Sequence, residues 1–506
     1  MKKKLIYIFL ISLLFKPIWL INLASLDNEG DDLSYWLHSA TLAYDFDLDY
    51  SKDYSSNGET FDLITNAPSH APGSGFAASP FVFIFKYIDI ITENDVERIN
   101  PVKSYAYLGY FFSALVYSYL SFYFLNKIKS VKNFQYKNLI FACAYLSTIV
   151  HFISTRFLMA HVFEFFLVSL MIYTFEELLR KQPFKAINLL LLTYFLLSIT
   201  RPSTFLCSIL LILIYKDKIE ISIKELSYSF INLILFSSLY FYLSQKIYNQ
   251  NTILLNISNN NTTSAYANSF NIDWIISGLV KIPNLFVSSS MGLIWSTPIV
   301  FIGILSIFNN KGTPNKRNAI FYELLYVLSF FVILVIWQGR EVAYGQRLLI
   351  GLIPFLIVKA CKHSNFTVLK IPTIILSCIT YVGYLYFYSS SLLTLRPGKT
   401  LWGLHVKWSA EDYYINLLLN LFNPENIISL LARNMYAVIA IKFANFREIV
   451  NQVLQRVNFN NTSIERFESL VIIYENTDGL YIFLATIFIL IFSKKLYELF
   501  NEATLK

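Results

Sequence analysis

Residues 104–125 read SYAYLGYFFSALVYSYLSFYFL, and Lys127, Lys129, Lys132 and Lys137 follow directly after them. A helix needs about 20 apolar residues to cross the hydrocarbon core of a bilayer, and this stretch supplies them without a charge. Lysines gathered after such a run are typical of the cytoplasmic end of a membrane helix. The stretch therefore predicts a transmembrane helix that ends on the cytoplasmic side near Lys127.

The composition of the whole chain agrees with this interpretation. Of the 506 residues, 55% are hydrophobic, 17% are aromatic and 15% are charged, and the mean hydropathy is +0.50. Soluble domains are about 45–50% apolar and about 25% charged, so this chain has more apolar surface than a water-facing fold can bury. The composition excludes a soluble enzyme, a disordered chain and a fibrous protein, and it favours an all-α polytopic membrane protein.

The basic residues predict the topology. The net charge is +8, but Lys and Arg lie in short runs between apolar segments, which is typical of cytoplasmic loops and not of a nucleic-acid-binding surface. Basic loops recur after every second apolar segment, which predicts about twelve helices (11–13) with both termini in the cytoplasm. The predicted helices lie within 1–24, 104–125, 138–155, 162–179, 187–200, 203–215, 226–244, 289–308, 319–336, 347–360, 371–390 and 479–493.

This topology divides the chain into three parts. Residues 1–392 form a transmembrane catalytic module whose first outer loop is 25–103. Residues 393–478 form a small outer-face domain, and residues 479–506 form the last transmembrane helix with a cytoplasmic tail. The first apolar run also resembles a secretory signal peptide cleaved near Ala24, but its length favours an uncleaved helix.

The first outer loop contains an acidic start followed by a helical pattern. Apolar residues recur at helical spacing after Asp32, at Leu33, Trp36, Leu37, Ala40 and Tyr44. This spacing predicts an amphipathic helix on the membrane surface. Asp31 or Asp32 would cap its N-terminus, where the helix dipole favours a carboxylate. The alternative to a functional role is that both acids act only as caps.

Ionisable and aromatic residues gather at the predicted outer ends of the helices. They are Arg156, His161, Glu164, Arg201, Trp337, Tyr344 and Arg347, with His70 in the first outer loop. Ionisable groups at the hydrocarbon boundary are costly and mark functional sites. Arginines bind phosphate through forked hydrogen bonds, a carboxylate can accept a proton from a hydroxyl, and aromatic faces stack on a sugar or an isoprenoid. The structural alternative is that the arginines reach lipid headgroups and that Glu164 pairs with Arg156.

An ordered set of short motifs carries a family resemblance over roughly residues 1–392. The motifs are Gly30-Asp31-Asp32-Leu33-Ser34-Tyr35, His70-Ala71-Pro72-Gly73, Arg201-Pro202, Met291-Gly292-Leu293 before Pro298, Trp337-Gln338-Gly339, and Tyr344-Gly345-Gln346-Arg347-Leu348 before Pro354. In this order they resemble the GT-C integral-membrane glycosyltransferases, in the branch of the protein O-mannosyltransferases, aminoarabinose transferases and Rgt-type enzymes. The resemblance implies a polyprenyl-phosphate sugar donor, a catalytic Asp31 supported by Asp32, and Arg201 and Arg347 near the lipid phosphate.

The expected activity is therefore glycosyl transfer with inversion to an acceptor hydroxyl, at the periplasmic or extracellular face of the inner (plasma) membrane. The acceptor is a lipid, a glycan or a protein. Asp31 and Asp32 are the expected catalytic residues. The residues expected to bind the donor or acceptor are Arg201, Arg347, His70, His161, Glu164, Trp337 and Tyr344. The acidic loop could supply ligands for a divalent metal, but it shows no clear ligand triad. The sequence therefore leaves open whether the reaction uses a metal. The alternatives are a glycan polymerase or ligase and a twelve-helix transporter.

Overall fold

The computed structural model describes residues 31–50, 68, 70–93, 104–154, 156–219, 223–249, 251, 272–287, 293–308, 314–336, 347–362 and 366–391. Within these ranges every regular element is helical and there is no β-strand. The predicted all-α fold is confirmed for this part of the chain.

The α-helices of the described residues are numbered in chain order. They are α1 (Asp31–Tyr44), α2 (Gly73–Ile91), α3 (Tyr105–Lys127), α4 (Lys129–Lys132), α5 (Lys137–Ala144), α6 (Val150–Ser154), α7 (His161–Tyr173), α8 (Pro183–Ser198), α9 (Pro202–Ser208), α10 (Leu210–Tyr215), α11 (Ile223–Tyr248), α12 (Ile272–Val287), α13 (Leu293–Ser296), α14 (Pro298–Phe308), α15 (Pro314–Ile336), α16 (Ile353–Cys361) and α17 (Phe366–Ser391). Two π-helical turns (Tyr145–Ile149 and Thr174–Leu178) and two 3₁₀ turns (Lys216–Lys218 and Arg347–Leu352) connect some of them.

Three helices in the described residues are long and apolar enough to cross a membrane. They are α2, α3 and the segment Asn318–Ile336 of α15. Shorter apolar helices lie at Lys137–Ile153, Pro183–Ser198, Pro298–Phe308 and Leu369–Thr380. The count of about twelve crossings stays a prediction, because the predicted first and last helices and the outer-face domain at 393–478 lie outside the described residues.

Helix α1 forms where the apolar spacing predicts a helix, but its environment differs from the prediction. The apolar stripe is buried, with low exposure at Leu33, Trp36, Leu37 and Ala40. The polar side is buried as well, at Ser34, His38, Ser39 and Thr41. The helix therefore lacks an exposed polar face, and its position on the membrane surface stays a prediction. Helix α2 packs closely along α1, and a Cβ added at Gly75 would lie 2.6 Å from the carbonyl oxygen of Tyr35.

Helix α2 is an apolar helix that the sequence pattern did not predict, within the segment predicted as the first outer loop. It packs antiparallel to α3. The carboxylate of Asp89, near the end of α2, accepts hydrogen bonds from the backbone N–H groups of Tyr105 and Ala106 at the start of α3, each at 2.8 Å. Further along the pair, the Tyr117 hydroxyl donates to the Ala77 carbonyl at 2.9 Å. Asp89 thus satisfies two N–H groups that every helix start leaves open. The pairing directs the start of α2 towards the middle of α3.

Helix α7 is enclosed within the described core. Its fully buried residues include Phe165, Leu167, Val168, Met171 and Ile172. Ring contacts join Tyr117 to Phe163 at 4.8 Å and Phe124 to Tyr173 at 5.3 Å, so α7 runs parallel to α3. The first turn of α7 therefore lies beside the middle of α3, near the start of α2.

Several predicted helices contain breaks that the apolar pattern did not indicate. The segment predicted at 138–155 is interrupted by the π-helical turn Tyr145–Ile149, in which Ser147 has a non-helical ψ of −149°. The segment predicted at 347–360 begins with the 3₁₀ turn Arg347–Leu352. π-helical turns interrupt α-helices frequently at functional sites.

Candidate functional site

The first turn of α1 carries a buried ion pair. The carboxylate of Asp32 lies 2.7 Å from Nε of Arg156, and the side chains of Asp32 and Arg156 are 0% and 24% exposed. A carboxylate in the first turn of a helix is stabilised by the partial positive charge of the helix N-terminus. Helix α1 begins at Asp31, whose predicted role as the base stays a prediction because its side chain lies outside the described part of the chain.

Aromatic packing and hydrogen bonds fix the turn that carries Arg156. The backbone N–H of Arg156 donates to the carbonyl of His151 at 3.1 Å. The Tyr110 hydroxyl donates to the carbonyl of Leu158 at 2.9 Å. The rings of Tyr107 and Phe157 are 5.1 Å apart. The turn that carries Arg156 is thus held by α3, and its guanidinium is held by Asp32.

Glu164, in the first turn of α7, is the centre of a second polar cluster. The Thr204 hydroxyl donates to one carboxylate oxygen of Glu164 at 2.5 Å. The other oxygen lies 3.1 Å from Nδ1 of His161 and 3.7 Å from Nε of Arg201. The structure therefore brings His161, Glu164 and Arg201 together, and their roles in substrate binding stay predictions. The alternative pairing of Glu164 with Arg156 is not formed, because Arg156 faces α1 while Glu164 faces the start of α9.

The turn Arg347–Leu352 closes the Glu164 cluster from another side. A Cβ added at Gly351 would lie 2.7 Å from a carboxylate oxygen of Glu164 and 2.4 Å from Cγ2 of Thr204. Only glycine leaves room for this close approach. Arg347 is the first residue of the same turn and is partly buried. The backbone of this turn therefore places Arg347 on the same side of the molecule as Glu164.

The predicted His70–Gly73 motif lies directly against the predicted Arg201 motif. The backbone N–H of Gly73 donates to the carbonyl of Ile199 at 2.8 Å. A Cβ at Gly73 would lie 2.2 Å from the Thr200 hydroxyl oxygen, so no larger residue fits there. The ring of the half-buried His70 lies 5.1 Å from the ring of Tyr35 in α1. The His70–Gly73 turn is thus docked on the residues that precede Arg201.

Three helices of more than two turns begin in this cluster, namely α1 at Asp31, α2 at Gly73 and α7 at His161. Helix N-termini carry a partial positive charge and unpaired N–H groups, so their convergence favours an anionic ligand. In both acid–arginine pairs the carboxylate is at most 1% exposed, whereas the side chains of Arg156 and Arg201 are 24% and 17% exposed. The arginines therefore form the accessible side of the cluster, in front of the buried carboxylates.

Several contributors to this cluster were missed by the sequence analysis. Thr204 and Gly351 are uncharged, so the pattern of ionisable residues does not include them. Thr204 follows Arg201 by about one helical turn, and this spacing could have indicated that it lies near Arg201. His38 was also missed, because one of its partners is a backbone carbonyl. Two predicted substrate-binding residues, Trp337 and Tyr344, lie outside the described residues.

A third charged cluster lies at the other end of α7. The carboxylate of Glu176 accepts hydrogen bonds from Nζ of Lys218 at 2.6 Å and from Nζ of Lys362 at 2.8 Å. A buried ion pair between Lys359 and Glu323 joins α16 to α15. Glu164 and Glu176 are twelve residues apart, which corresponds to about 18 Å along a helix. The pattern of basic loops predicts such lysines on the cytoplasmic side but does not indicate their acidic partners.

A metal is not excluded by these contacts. Among the residues that the structure describes, no group of three His, Cys, Asp or Glu side chains could hold a metal ion. The polar cluster at the start of α7 contains one carboxylate and one imidazole within contact distance of each other, Glu164 and His161. A divalent metal in the predicted site therefore stays open.

Comparisons of the chain with protein-family models, with curated proteins and with solved structures find no match. The acid–arginine pairs, the three converging helix starts and the docked His70–Gly73 turn are thus the observations on which a function can be argued. All of them lie in one connected region of the described structure.

Proposed function

We propose that the chain is a membrane glycosyltransferase that transfers a sugar from a polyprenyl-phosphate donor to an acceptor hydroxyl at the outer face of the membrane. One observation carries the proposal: two buried carboxylates, Asp32 and Glu164, each hold an arginine whose side chain is partly accessible. This arrangement supports a site for a phosphate group. The resemblance of the ordered motifs to GT-C glycosyltransferases agrees with it.

The donor phosphate is assigned to the convergence of α1, α2 and α7. Arg201 is oriented by Glu164 at 3.7 Å, and Arg347 begins the turn that packs on Glu164 through Gly351. Guanidinium groups bind phosphate through two parallel hydrogen bonds, and helix N-termini add backbone N–H groups. When the bond to the sugar breaks, these groups stabilise the charge that develops on the leaving phosphate, an effect that can reach several kcal/mol.

The two adjacent aspartates take different roles. Asp32 has no exposed surface and is held by Arg156, so it cannot contact an incoming acceptor. It fixes the start of α1 and thereby positions Asp31. Asp31 takes the proton of the acceptor hydroxyl, the acceptor oxygen bonds to the anomeric carbon, and the bond from that carbon to the phosphate oxygen breaks. A single displacement of this kind inverts the anomeric carbon.

The remaining parts of the proposal concern the surroundings of the enzyme. The apolar helices support a membrane location, and the alternating basic loops support a multi-pass topology in the plasma (inner) membrane with the site outside. Membrane lipids surround the helices, and the acceptor is a lipid, a glycan or a protein. His70, His161, Trp337 and Tyr344 are proposed to line the donor and acceptor paths.

Purified protein in lipid nanodiscs tests the proposal against the alternatives. A transferase releases polyprenyl phosphate from a donor that carries one sugar on a monophosphate. A glycan polymerase or ligase requires a diphosphate-linked oligosaccharide, and a transporter moves its substrate without cleaving it. Release of polyprenyl phosphate that is lost in Asp31→Asn supports the transferase. Cleavage of only diphosphate-linked oligosaccharides contradicts it.

A further inference from the structure

His38 in α1 is buried and makes two short hydrogen bonds. Its Nε2 lies 2.7 Å from the carbonyl oxygen of His70, and its Nδ1 lies 2.7 Å from the hydroxyl oxygen of Tyr50. A carbonyl can only accept a hydrogen bond, so Nε2 carries the proton and donates it. Nδ1 then accepts from the Tyr50 hydroxyl. The contacts thus fix one tautomer of a neutral imidazole.

A second donor reaches the same carbonyl from a distant helix. The hydroxyl of Tyr248, at the end of α11, donates to the His70 carbonyl at 2.6 Å, and the Tyr248 side chain is 1% exposed. Burial lowers the pKa of His38 to about 3, so its ring is uncharged at neutral pH. One backbone oxygen therefore receives hydrogen bonds from two neutral, buried side chains on two separate helices.

The His70 carbonyl begins the turn that leads to Gly73. The N–H of Gly73 donates to Ile199 at 2.8 Å, and the space beside its Cα is filled by the Thr200 hydroxyl. Arg201 follows Thr200 directly. Any displacement of the His70 carbonyl therefore moves a turn that is packed without spare room against the backbone of the Arg201 motif.

We propose that His38 is a positioning residue of the candidate site: together with Tyr248 it holds the His70 carbonyl, and so keeps the His70–Gly73 turn docked beside Arg201. The part of this inference that concerns donor binding rests on the proposed glycosyl transfer. The docking itself does not, and a measurement without substrate can test it.

Two substitutions of His38 separate its hydrogen bonds. His38→Gln places an amide N–H near the position of Nε2 and can still donate to His70. His38→Asn is too short to reach the carbonyl but retains a polar group near Tyr50. Tyr248→Phe removes a single hydroxyl with little change of volume, and it tests the same carbonyl if a His38 variant fails to fold.

Hydrogen–deuterium exchange of the protein in nanodiscs, followed on peptides that cover residues 70–78, reports the Gly73 N–H bond. Exchange at this amide should become roughly 3- to 10-fold faster in His38→Asn and Tyr248→Phe, since each loses one buried hydrogen bond. It should stay near wild type in His38→Gln. Peptides from α7 serve as the internal control. Unchanged exchange at Gly73 in both His38→Asn and Tyr248→Phe overturns the inference.

The kinetic arm uses polyprenyl-phosphate sugar extracted from the producing cells. The donor KM should rise roughly 3- to 10-fold in His38→Asn and recover in His38→Gln, while the acceptor KM stays constant. If His38 had only a structural role, His38→Asn would lower the amount of active enzyme and leave both KM values unchanged. That result would contradict the positioning role. Exchange at Gly73 could become faster in the variants even if the protein cleaves no such donor. That result would support the docking role of His38 and would overturn only the proposed function.

Discussion

The carboxylate of Asp32 lies 2.7 Å from Nε of Arg156, so an ion pair joins the first turn of α1 to the turn that precedes α7. Asp32 belongs to the predicted first outer loop, and Arg156 belongs to the connection between α6 and α7. The pair therefore ties the acidic loop to the helical core beside Glu164. If Asp31 is the base, this ion pair sets its position.

Loss of Arg156 should destabilise the protein strongly. Arg156→Ala removes the guanidinium that faces the buried Asp32 carboxylate, and removing one member of a buried pair costs about 3–5 kcal/mol. Because the Arg156 side chain is 24% exposed, water can replace part of the interaction, and we expect about 2–4 kcal/mol. Unfolding by denaturant in detergent micelles measures the loss.

The exposed pair of Lys181 and Glu177 supplies a matched control for this measurement. Its Nζ–oxygen distance is 3.1 Å, and the Lys181 side chain is 68% exposed. Lys181→Ala should change the stability by less than about 1 kcal/mol. Equal effects of Arg156→Ala and Lys181→Ala would contradict a structural role of the buried pair.

Glu164→Gln should impair donor use while leaving the fold intact. Glutamine can still accept the hydrogen bond from Thr204, but it lacks the negative charge that orients Arg201 at 3.7 Å. We expect the donor KM to rise about tenfold, which corresponds to about 1.4 kcal/mol of lost orientation. Glu177→Gln, a change near the other end of α7, is the control and should not alter the donor KM. A normal donor KM in Glu164→Gln would remove Arg201 from the phosphate site.

Arg201 and Arg347 should respond differently to removal. Arg201→Ala deletes a cation and also leaves the Glu164 carboxylate facing the donor phosphate, so it should lower both stability and donor binding. Arg347→Ala should mainly raise the donor KM, by roughly 10- to 100-fold, because a hydrogen bond to a charged group contributes about 1.5–3 kcal/mol. Lysine at either position should restore only part of the binding, since it lacks the guanidinium fork. Steady-state kinetics with donor and acceptor varied separately checks this; unchanged donor KM values in both alanine variants place the phosphate elsewhere.

The stability of the protein should fall on mild acidification because of His38. Its pKa is lowered by burial to about 3, whereas an exposed histidine in the unfolded chain titrates near 6.5. Below about pH 6.5 the unfolded state takes up a proton that the folded state excludes, so stability is complete above that pH and is lost progressively towards pH 3. Between pH 7.5 and pH 5.0 this linkage amounts to about 2 kcal/mol.

His38→Gln has no such titration and provides the comparison for the pH measurement. Denaturant unfolding at both pH values should show a smaller pH-dependent loss in His38→Gln than in the wild type, by about 2 kcal/mol. The other titrating groups are common to both proteins and cancel in the difference. Parallel pH profiles of the two proteins would contradict a buried, neutral His38.

The residues that sequence reasoning found share one property: they are charged groups beside apolar runs. Asp32, Glu164 and Arg201 are conspicuous for this reason, because an ionisable group at the hydrocarbon boundary is costly without a partner. Their pairing was not predictable in the same way. The spacing of Arg156 and Glu164 suggested one pair, whereas in the structure Arg156 pairs with Asp32 of α1 and Glu164 pairs with Arg201, which precedes α9.

Contacts with the backbone leave no trace in the sequence. The residues around His38 do not indicate that the His70 carbonyl is its hydrogen-bond partner. Position 351 requires glycine only because Glu164 and Thr204 pack against it in the folded protein. The amphipathic pattern of α1 predicted a helix correctly but not its burial, since the pattern cannot reveal that α2 covers the polar side. Local periodicity thus predicted most of the described helices, though not α2 or α12, and long-range packing determined the site.

The most direct measurement compares the cell-surface glycans and lipids of a strain that carries only Asp31→Asn with those of its parent, by mass spectrometry. We predict that one glycan or glycolipid loses the mass of a single sugar, and that a polyprenyl phosphate bearing this same sugar accumulates. Comparable amounts of the two proteins in the membrane provide the control. Unchanged glycans together with an unchanged pool of polyprenyl-phosphate sugars would contradict glycosyl transfer from such a donor with Asp31 as the base.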